Sequence, residues 1–272
     1  GFYQRDELLR NEDGSELVCL QAHMLLYAGV AKDAELAYNV EMHRTKSQLC
    51  NKLVYLWQGI CIALHWFCCV GQRVQRVLRG LYSGKSASAT PIFATGLRRK
   101  RQKAPRLFAN PEMILCLNID SFAGGTARDL WCNSWRVGTS EPLDPDLLEQ
   151  EQDASDQKLE VLTLSRLLRV AMPTNRLLAG RRIFQGAPLH FEFKQKNYRD
   201  VVTFVQIDGE SYKLLNPHSM TIEFDQQITL LQKAELDNGC CSWISNFQNF
   251  QNDHLSVSTS EPSDSDLTEA EV

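Results

Sequence analysis

The second half of the chain alternates apolar and polar residues over short segments that are separated by turn residues. Leu189, Phe191 and Phe193 are apolar and the residues between them are polar, a period of two that is typical of a strand with one buried face. Val201–Ile207 is rich in β-branched residues and ends at the turn-forming pair Asp208–Gly209. Short strands at such intervals predict an antiparallel β-sandwich.

Other apolar segments predict further strands and two helices. Helices are predicted at Asp33–His43, with Asp33 as a candidate cap, and within Ser47–Gly71. The predicted fold class is therefore α+β, mainly an antiparallel β-sandwich with one or two helices near its N-terminal side. Further strands are predicted at Leu17–Val30, Gln75–Tyr82, from Ile114 onward, at Lys158–Leu164, Met220–Phe224 and Ile228–Gln232.

The segment Leu53–Gly71 carries no formal charge over 19 residues, which is just long enough to span a bilayer. Gln58 and His65 interrupt it, however, and Gly59 lies between two apolar halves. These polar residues favour a buried amphipathic or core helix over a membrane span.

Charge is unevenly distributed in a chain whose net charge is −4. A basic run at Arg98–Arg106 ends a segment, 83–106, that is rich in Ser, Ala and Thr and is predicted to be a loop insertion. This run is either a solvated surface or a contact with anionic lipid head groups. The acidic segment 138–157 and the tail 236–272 are predicted to be disordered, which leaves one folded domain over residues 1–235.

The beginning of the chain and its cysteines indicate a cytoplasmic protein. The chain begins at Gly1 without a charged and then apolar leader, so we expect no signal peptide and a piece of a longer protein. Nine cysteines occur without a C-x-x-C pair, and the spacing of His65 and Cys68 has no second pair to match it. Buried reduced thiols are therefore expected rather than a zinc site.

The stretch Ile114–Trp131 begins as an apolar strand and reaches the paired glycines Gly124 and Gly125 before Thr126. A strand that leads into such a loop is how many phosphate sites begin, because glycine lets backbone N–H groups approach an anion. No helix pattern and no lysine follow the glycines. A tight turn at the border of a cleft is therefore the better interpretation.

Six segments of this chain resemble, in the same order, the motifs of the accessory domain of eukaryotic diacylglycerol kinases. The resemblance covers about Leu25 to Ala234, and the six segments together are more specific than any one of them. The six segments are LLYAGVAKDAEL (Leu25–Leu36), SQLCNKLVY (Ser47–Tyr55), NIDSFAGGT (Asn118–Thr126), DQKLEVLTL (Asp156–Leu164), RRIFQGAPL (Arg181–Leu189) and QIDGESY (Gln206–Tyr212).

This sequence departs from the family pattern at several positions. Ala31–Lys32 are extra residues, Asp120 replaces a usual proline, Gln157 a usual glycine, and Ser211–Tyr212 a usual Pro–Trp pair. The G-G-D-G-T nucleotide loop of the family's catalytic half is absent from all 272 residues. The chain therefore resembles the accessory half alone.

The resemblance implies that Asp208, Gly209 and Glu210 face the phosphates of ATP and their Mg²⁺ across a cleft between two domains. In this interpretation Asp208 and Glu210 are catalytic, the whole triplet contacts the nucleotide, and Asp208 binds the metal. From the residues alone, an Asp–Gly hairpin turn is the simpler interpretation. The family pattern favours a site.

Other candidate residues have weaker support. Asp33 is either a helix cap or a carboxylate that supports the site, and Asn51–Lys52 is more typical of a helix start than of a substrate contact. Gln185–Gly186 indicates a structural turn, and His65 a core histidine. His190 alternates outward without an evident partner.

The resemblance implies part of a lipid kinase that converts ATP and 1,2-diacylglycerol to phosphatidate and ADP at the cytosolic face of a membrane. The chain alone is predicted to be inactive, because its catalytic domain, expected in the same polypeptide, is missing. A sphingosine or ceramide kinase accessory domain is one alternative, and a non-catalytic lipid-binding or protein-binding module is another. We expect no nucleic-acid partner.

Overall fold

The computed structural model describes residues 2–67, 73–105, 107, 111–119, 121–122, 127–128, 130–131, 144–164, 181–195 and 200–227. These residues belong to one compact unit, Gly1–Gln227. Their strands are β1 Phe2–Gln4, β2 Glu7–Leu8, β3 Tyr27–Ala31, β4 Leu78–Ser83, β5 Thr90–Ala94, β6 Met113–Leu117, β7 Ser121–Phe122, β8 Ala127–Arg128, β9 Glu160–Leu164, β10 Arg181–Gln185, β11 Leu189–Phe193, β12 Val202–Ile207, β13 Glu210–Leu215 and β14 Ser219–Ile222.

The helices lie mainly in the first third of the chain. They are α1 Lys32–Met42, α2 Gln48–Phe67, α3 Val74–Val77 and α4 Gly96–Gln102, together with a short 3-10 helix at Pro145–Leu148.

Two antiparallel sheets form most of the structure. The larger sheet has eight strands in the order β10-β9-β6-β3-β12-β13-β1-β2, and the smaller has four in the order β14-β11-β4-β5. A two-strand pair, β7 with β8, is separate from both. The predicted α+β fold, mainly an antiparallel β-sandwich, is confirmed.

Apolar side chains from both sheets form one core. Ile114 and Cys116 of β6 point into it from the larger sheet, and Leu189, Phe191 and Phe193 of β11 join them from the smaller sheet. All three β11 side chains are buried, as their alternation predicts. Burial of each such side chain stabilises the fold by about 1.5–3 kcal/mol.

The other face of β6 is also covered. Met113, Leu115 and Leu117 alternate with the core residues and pack against Trp131 and Leu147 in a second cluster. Because both faces of β6 are buried, the strand reads as a continuous apolar run, which explains why the sequence identifies it readily.

Residues 144–157 are ordered, although their acidic composition predicts disorder. Leu147 is buried, and the Arg182 guanidinium donates to the carbonyls of Leu147, Leu148 and Gln150. It also donates to the carbonyl of Trp131 and stacks 4.5 Å from that ring. Composition does not reveal these backbone contacts. The rest of the predicted segment, 138–143, lies outside the described residues.

The prediction that residues 83–106 form a loop is also wrong. This segment contains β5, which pairs with β4, and the helix α4. Strand β5 lies at the edge of the smaller sheet, where Pro91 is tolerated because one side of an edge strand forms no ladder. The buried residues of this strand are the consecutive Ile92, Phe93 and Ala94, which show no alternation.

Three further predictions need correction. Within Leu17–Val30 the strand is confined to the end, at β3, while Val18 and Cys19 are exposed. The predicted strand Gln75–Tyr82 begins as the helical turn α3 before β4. All four described cysteines are free thiols, but Cys116 is the buried one, and Cys19 and Cys50 are exposed.

Helix α2 is not the core helix that its apolar sequence predicts. It packs against α1 and leaves several apolar side chains in solvent. Of the described helices, none is both long and apolar enough to cross a membrane. The strand predicted at Ile228–Gln232, the glycines Gly124 and Gly125, and the tail from residue 236 lie outside the described residues.

Candidate functional site

The predicted Asp208–Gly209 turn joins β12 to β13. Ile207 pairs with Glu210, so the turn has two residues, and both have positive φ, 49° at Asp208 and 93° at Gly209. Two-residue hairpins favour this backbone because its twist matches that of the strands, and Asp and Gly tolerate it. A Cβ at Gly209 would meet no atom within 4 Å. Glycine is therefore needed here for its conformation rather than for space.

The carboxylate of Asp208 is held by the main chain that precedes β3. Its Oδ1 accepts hydrogen bonds from the N–H groups of Leu26 and Tyr27, both at 2.8 Å, and its Oδ2 accepts one from Leu25 at 2.5 Å. The N–H of Asp208 in turn donates to the Tyr27 carbonyl at 3.0 Å. Asp208 thus fastens the hairpin turn to the start of β3.

Glu210 has a different environment. Its side chain is exposed and accepts a hydrogen bond from the Gln4 amide at the end of β1. Together with the turn it borders a shallow surface depression. The depression is lined by Gln4, Arg5, Glu41, Arg44, Gly209, Glu210 and Ser211.

Two arginines line the depression beside the carboxylates of Glu41 and Glu210. The guanidinium groups of Arg5 and Arg44 lie 2.9 Å and 3.4 Å from the Glu41 carboxylate. Both side chains are about two-thirds exposed, so each keeps donors that face solvent. Guanidinium groups bind phosphate oxygens through paired hydrogen bonds. The depression therefore combines phosphate-binding groups with one accessible carboxylate, that of Glu210.

The sequence analysis did not single out Arg5, Glu41 or Arg44. Arg5 and Asp6 form the two-residue turn between β1 and β2, with φ of 47° and 63°, but no glycine marks this turn. Glu41 and Arg44 reach the depression because α1 ends there, and this depends on the packing of α1 against β12 and β13. A local motif carries no such information.

The family model of the diacylglycerol kinase accessory domain matches residues 23–211. The chain belongs to this family. A search of curated proteins and a search of solved structures each gave no match. The family match includes Glu41, Arg44 and Gly209–Ser211 of the depression, whereas Gln4 and Arg5 precede the matched residues.

The acidic groups described in this accessory domain could supply some of the ligands of a magnesium ion but not a full set. Three N–H groups already bind the Asp208 carboxylate, which offers about four lone-pair positions in all. Glu210 is the accessible acceptor beside it. In the part of the chain that the structure describes, no three metal-binding side chains converge. Mg²⁺ takes most of its remaining ligands from phosphate oxygens and water.

Asp33 is not the predicted helix cap. Ala31 holds the cap position of α1, with φ 79° and no side-chain hydrogen bond, so the two extra residues Ala31–Lys32 form the junction between β3 and α1. Asp33 is buried, and burial raises the pKa of its carboxyl to about 7. It does not line the depression.

The remaining candidates have structural positions. Asn51 exchanges hydrogen bonds with Thr45 and holds the start of α2, as predicted. The Gln185 amide donates to the Glu160 carboxylate at 3.0 Å. Gly186, with φ 149°, begins the short connection from β10 to β11, which agrees with the structural turn that the sequence predicts. His190 has a partner that the sequence does not indicate, the Thr221 hydroxyl at 2.9 Å. The side chain of His65 lies outside the described residues, and Lys52 does not line the depression.

Proposed function

We propose that this chain is the accessory half of an ATP-dependent kinase that phosphorylates 1,2-diacylglycerol to phosphatidate. The observation that carries the proposal is the family match over residues 23–211, which includes the turn at Asp208. The depression beside that turn supports it, because Arg5, Arg44 and Glu210 are the groups that recognition of a phosphate chain and acceptance of a proton require.

Each side chain of the depression has a part in this proposal. Arg5 and Arg44 contact the phosphates of ATP. In this proposal Glu210 accepts the proton of the lipid hydroxyl, and Asp208 keeps the turn in place so that Glu210 faces the depression. Mg²⁺ would be held by the remaining lone pair of Asp208 together with phosphate oxygens and water, and it would neutralise phosphate charge.

The catalytic half is required for activity in this proposal. The G-G-D-G-T loop that binds the nucleotide is not in these 272 residues. We therefore propose that a catalytic domain in the same polypeptide supplies it, and that the accessory half alone does not transfer phosphate.

The basic helix α4 would bring the protein to a cytosolic membrane face. Its described residues Lys100 and Arg101, followed by Lys103, are exposed. Each basic side chain near an anionic bilayer contributes about 1 kcal/mol. Sedimentation with acidic vesicles tests this contact, because the substitution of Arg99, Lys100, Arg101 and Lys103 by Gln should lower the bound fraction. The last basic residue of the predicted contact, Arg106, lies outside the described residues.

A non-catalytic binding module is the second candidate function. The engagement of Asp208 by three backbone N–H groups favours it, because a carboxylate so occupied serves the fold first. One experiment separates the two candidates. The chain is assayed for lipid phosphorylation alone and fused behind a diacylglycerol kinase catalytic domain, with diacylglycerol, sphingosine and ceramide as substrates. The kinase proposal predicts phosphatidate from the fusion only, and a binding module predicts no product from either.

A further inference from the structure

Helix α2 presents an apolar stripe to solvent. Leu49, Leu53, Leu56, Trp57 and Ile60 are 71, 59, 57, 64 and 40% exposed. At helical spacing these five positions fall within a sector of about 100°. We call them the α2 stripe. Contiguous exposed apolar surface of this kind marks an interaction site on a soluble protein.

Two polar residues of α2, Asn51 and Gln58, lie on the side of the helix opposite the stripe and contact the rest of the protein. Asn51 is hydrogen-bonded to Thr45 in the segment that connects α1 to α2. The Gln58 amide lies 3.3 Å from Nδ1 of His43 at the end of α1. An amphipathic helix on a water-soluble protein normally turns its apolar side inward. Because α2 has the opposite orientation, its stripe is placed for contact with something outside this domain.

The charge of the surrounding sequence indicates what that partner is. Residues 42–111 contain no Asp or Glu and 13 Lys or Arg, although the whole chain has a net charge of −4. Arg44, Lys46 and Lys52 flank the stripe at the start of α2. A second copy of the chain carries the same excess of basic charge around its stripe, so two copies docked stripe to stripe would repel each other. An anionic surface has the complementary charge.

The composition of the stripe fits a lipid surface in particular. Leucines, an isoleucine and a tryptophan on one side, with basic residues beside them, are typical of helices that lie in the interface of a bilayer. Trp57 is suited to the head-group level, because its ring is apolar and its N–H is a donor.

Helix α2 also lies close to the candidate site along the chain. Glu41 and Arg44 at the end of α1 line the depression beside Gly209, and α2 begins at Gln48. The contact between His43 and Gln58 keeps the two helices together there. A bilayer bound by the stripe would therefore be held near the depression.

We propose that α2 lies in the head-group layer of an anionic bilayer with the α2 stripe buried among the acyl chains. The role of this contact, which is to present a membrane lipid to the depression, rests on the proposed function. The contact itself does not require kinase activity.

Vesicle binding of the whole chain tests the proposal. Vesicles of phosphatidylcholine with and without phosphatidylserine are sedimented with the wild type, with Leu53→Glu/Trp57→Glu and with a control, Val18→Glu. Val18 is 86% exposed and lies outside α2. Val18→Glu therefore replaces one exposed apolar residue by a negative charge, as each change of the double variant does, but away from the stripe. The wild type and the control should bind vesicles with phosphatidylserine. The double variant should bind at least about tenfold more weakly, because burial of one such side chain changes an equilibrium that much.

Circular dichroism and the urea midpoint report whether the double variant folds, which is expected because both side chains are exposed. If the folded double variant binds acidic vesicles as the wild type does, the proposal is overturned. It is also overturned if the wild type and the double variant bind vesicles equally while sedimentation equilibrium shows that the wild type is a dimer and the variant a monomer. A variant that lost binding and failed to fold would be replaced by Leu53→Gln/Trp57→Gln, which adds no charge and should also lose binding.

The kinase assay separates this inference from the proposed function. In a fusion with a catalytic domain, the double variant should phosphorylate a water-soluble short-chain diacylglycerol at the wild-type rate. It should lose activity on diacylglycerol in vesicles. A fusion inactive on both substrates in the wild-type form would contradict the proposed function, while vesicle binding through the stripe would still stand. Equal activity of variant and wild type on vesicles would overturn the inference alone.

Discussion

Asp208 and Tyr27 are joined by two hydrogen bonds although they lie 181 residues apart in the chain. The Tyr27 N–H donates to Oδ1 of Asp208 at 2.8 Å, and the Asp208 N–H donates to the Tyr27 carbonyl at 3.0 Å. This link attaches the turn between β12 and β13 to the beginning of β3. The acidic residue that the sequence analysis predicts to be catalytic is thus also a main-chain cap.

Substitution of Asp208 by Ala should destabilise the fold. The N–H groups of Leu25, Leu26 and Tyr27 would lose their acceptor, and unsatisfied donors in partly buried positions cost about 1–3 kcal/mol each before water compensates. We expect a loss of about 2–4 kcal/mol in the free energy of unfolding, measured by urea denaturation.

Glu210→Ala is the control for this effect. Glu210 begins β13 directly after the same turn but is exposed, so its removal should change the free energy of unfolding by less than about 0.5 kcal/mol. Equal losses for the two variants would show that the Asp208 cap does not stabilise the turn.

The sequence predicts much of this hairpin and little of what surrounds it. The alternation before Asp208 and the Asp–Gly pair are local signals, and the strand and its turn follow directly. The bonds from Leu25 to Tyr27, and the approach of Arg5 and Arg44, join parts of the chain that are far apart in sequence. Such contacts depend on strand order and helix packing, which no short motif encodes.

The same limit explains the wrong assignment of α2. Its apolar residues indicate a helix, and the helix is there. Periodicity does not show whether an apolar side faces the core or the outside. In the structure Asn51 and Gln58, on the other side of the helix, contact Thr45 and His43.

The buried ion pair of Lys32 and Glu112 should be sensitive to the loss of one partner. Lys32 Nζ lies 3.3 Å from the Glu112 carboxylate, and both side chains are almost completely buried. Lys32→Met leaves the acid without this cation and should cost about 3–5 kcal/mol of unfolding free energy by urea denaturation.

A double variant provides the control for this ion pair. Lys32→Met/Glu112→Leu removes both charges and should recover most of the loss, because replacement of a whole buried pair by apolar groups is often neutral. A double variant as unstable as the single one would contradict the account.

Asp33 should make stability depend on pH. Burial raises the pKa of its carboxyl from 3.8 to about 7 in the folded state. Between about pH 4 and pH 7 the folded protein therefore holds a proton that the unfolded chain releases. The free energy of unfolding should fall as pH rises through this range and level off above it.

Comparison with Asp33→Asn isolates this contribution. Burial also raises the pKa of Glu160 to about 7, so the wild-type curve alone contains both effects. The difference between wild type and variant, measured by urea denaturation from pH 4 to pH 8, should shift steadily in favour of the variant. A difference that does not change with pH would refute the assignment.

Gly29 is required because of Asp33. A Cβ at Gly29 would lie 2.6 Å from Oδ2 of Asp33 and 3.5 Å from a methyl carbon of Leu115. Gly29→Ala should therefore cost about 1–3 kcal/mol. The shorter side chain in Gly29→Ala/Asp33→Ser should remove the clash and recover part of the loss. Thermal unfolding of the four proteins of this double-mutant cycle gives the coupling energy, and strict additivity would contradict the predicted contact.

The rate of phosphatidate formation by a fusion of this chain with a diacylglycerol kinase catalytic domain tests the central claim most directly. The account predicts that Glu210→Gln lowers kcat at least about a hundredfold, the range of general acid–base catalysis, with an unchanged urea midpoint. Glu149→Gln, an exposed carboxylate outside the depression, should leave kcat unchanged. A Glu210→Gln fusion as active as the wild type would contradict the claim that this half contributes to the kinase site.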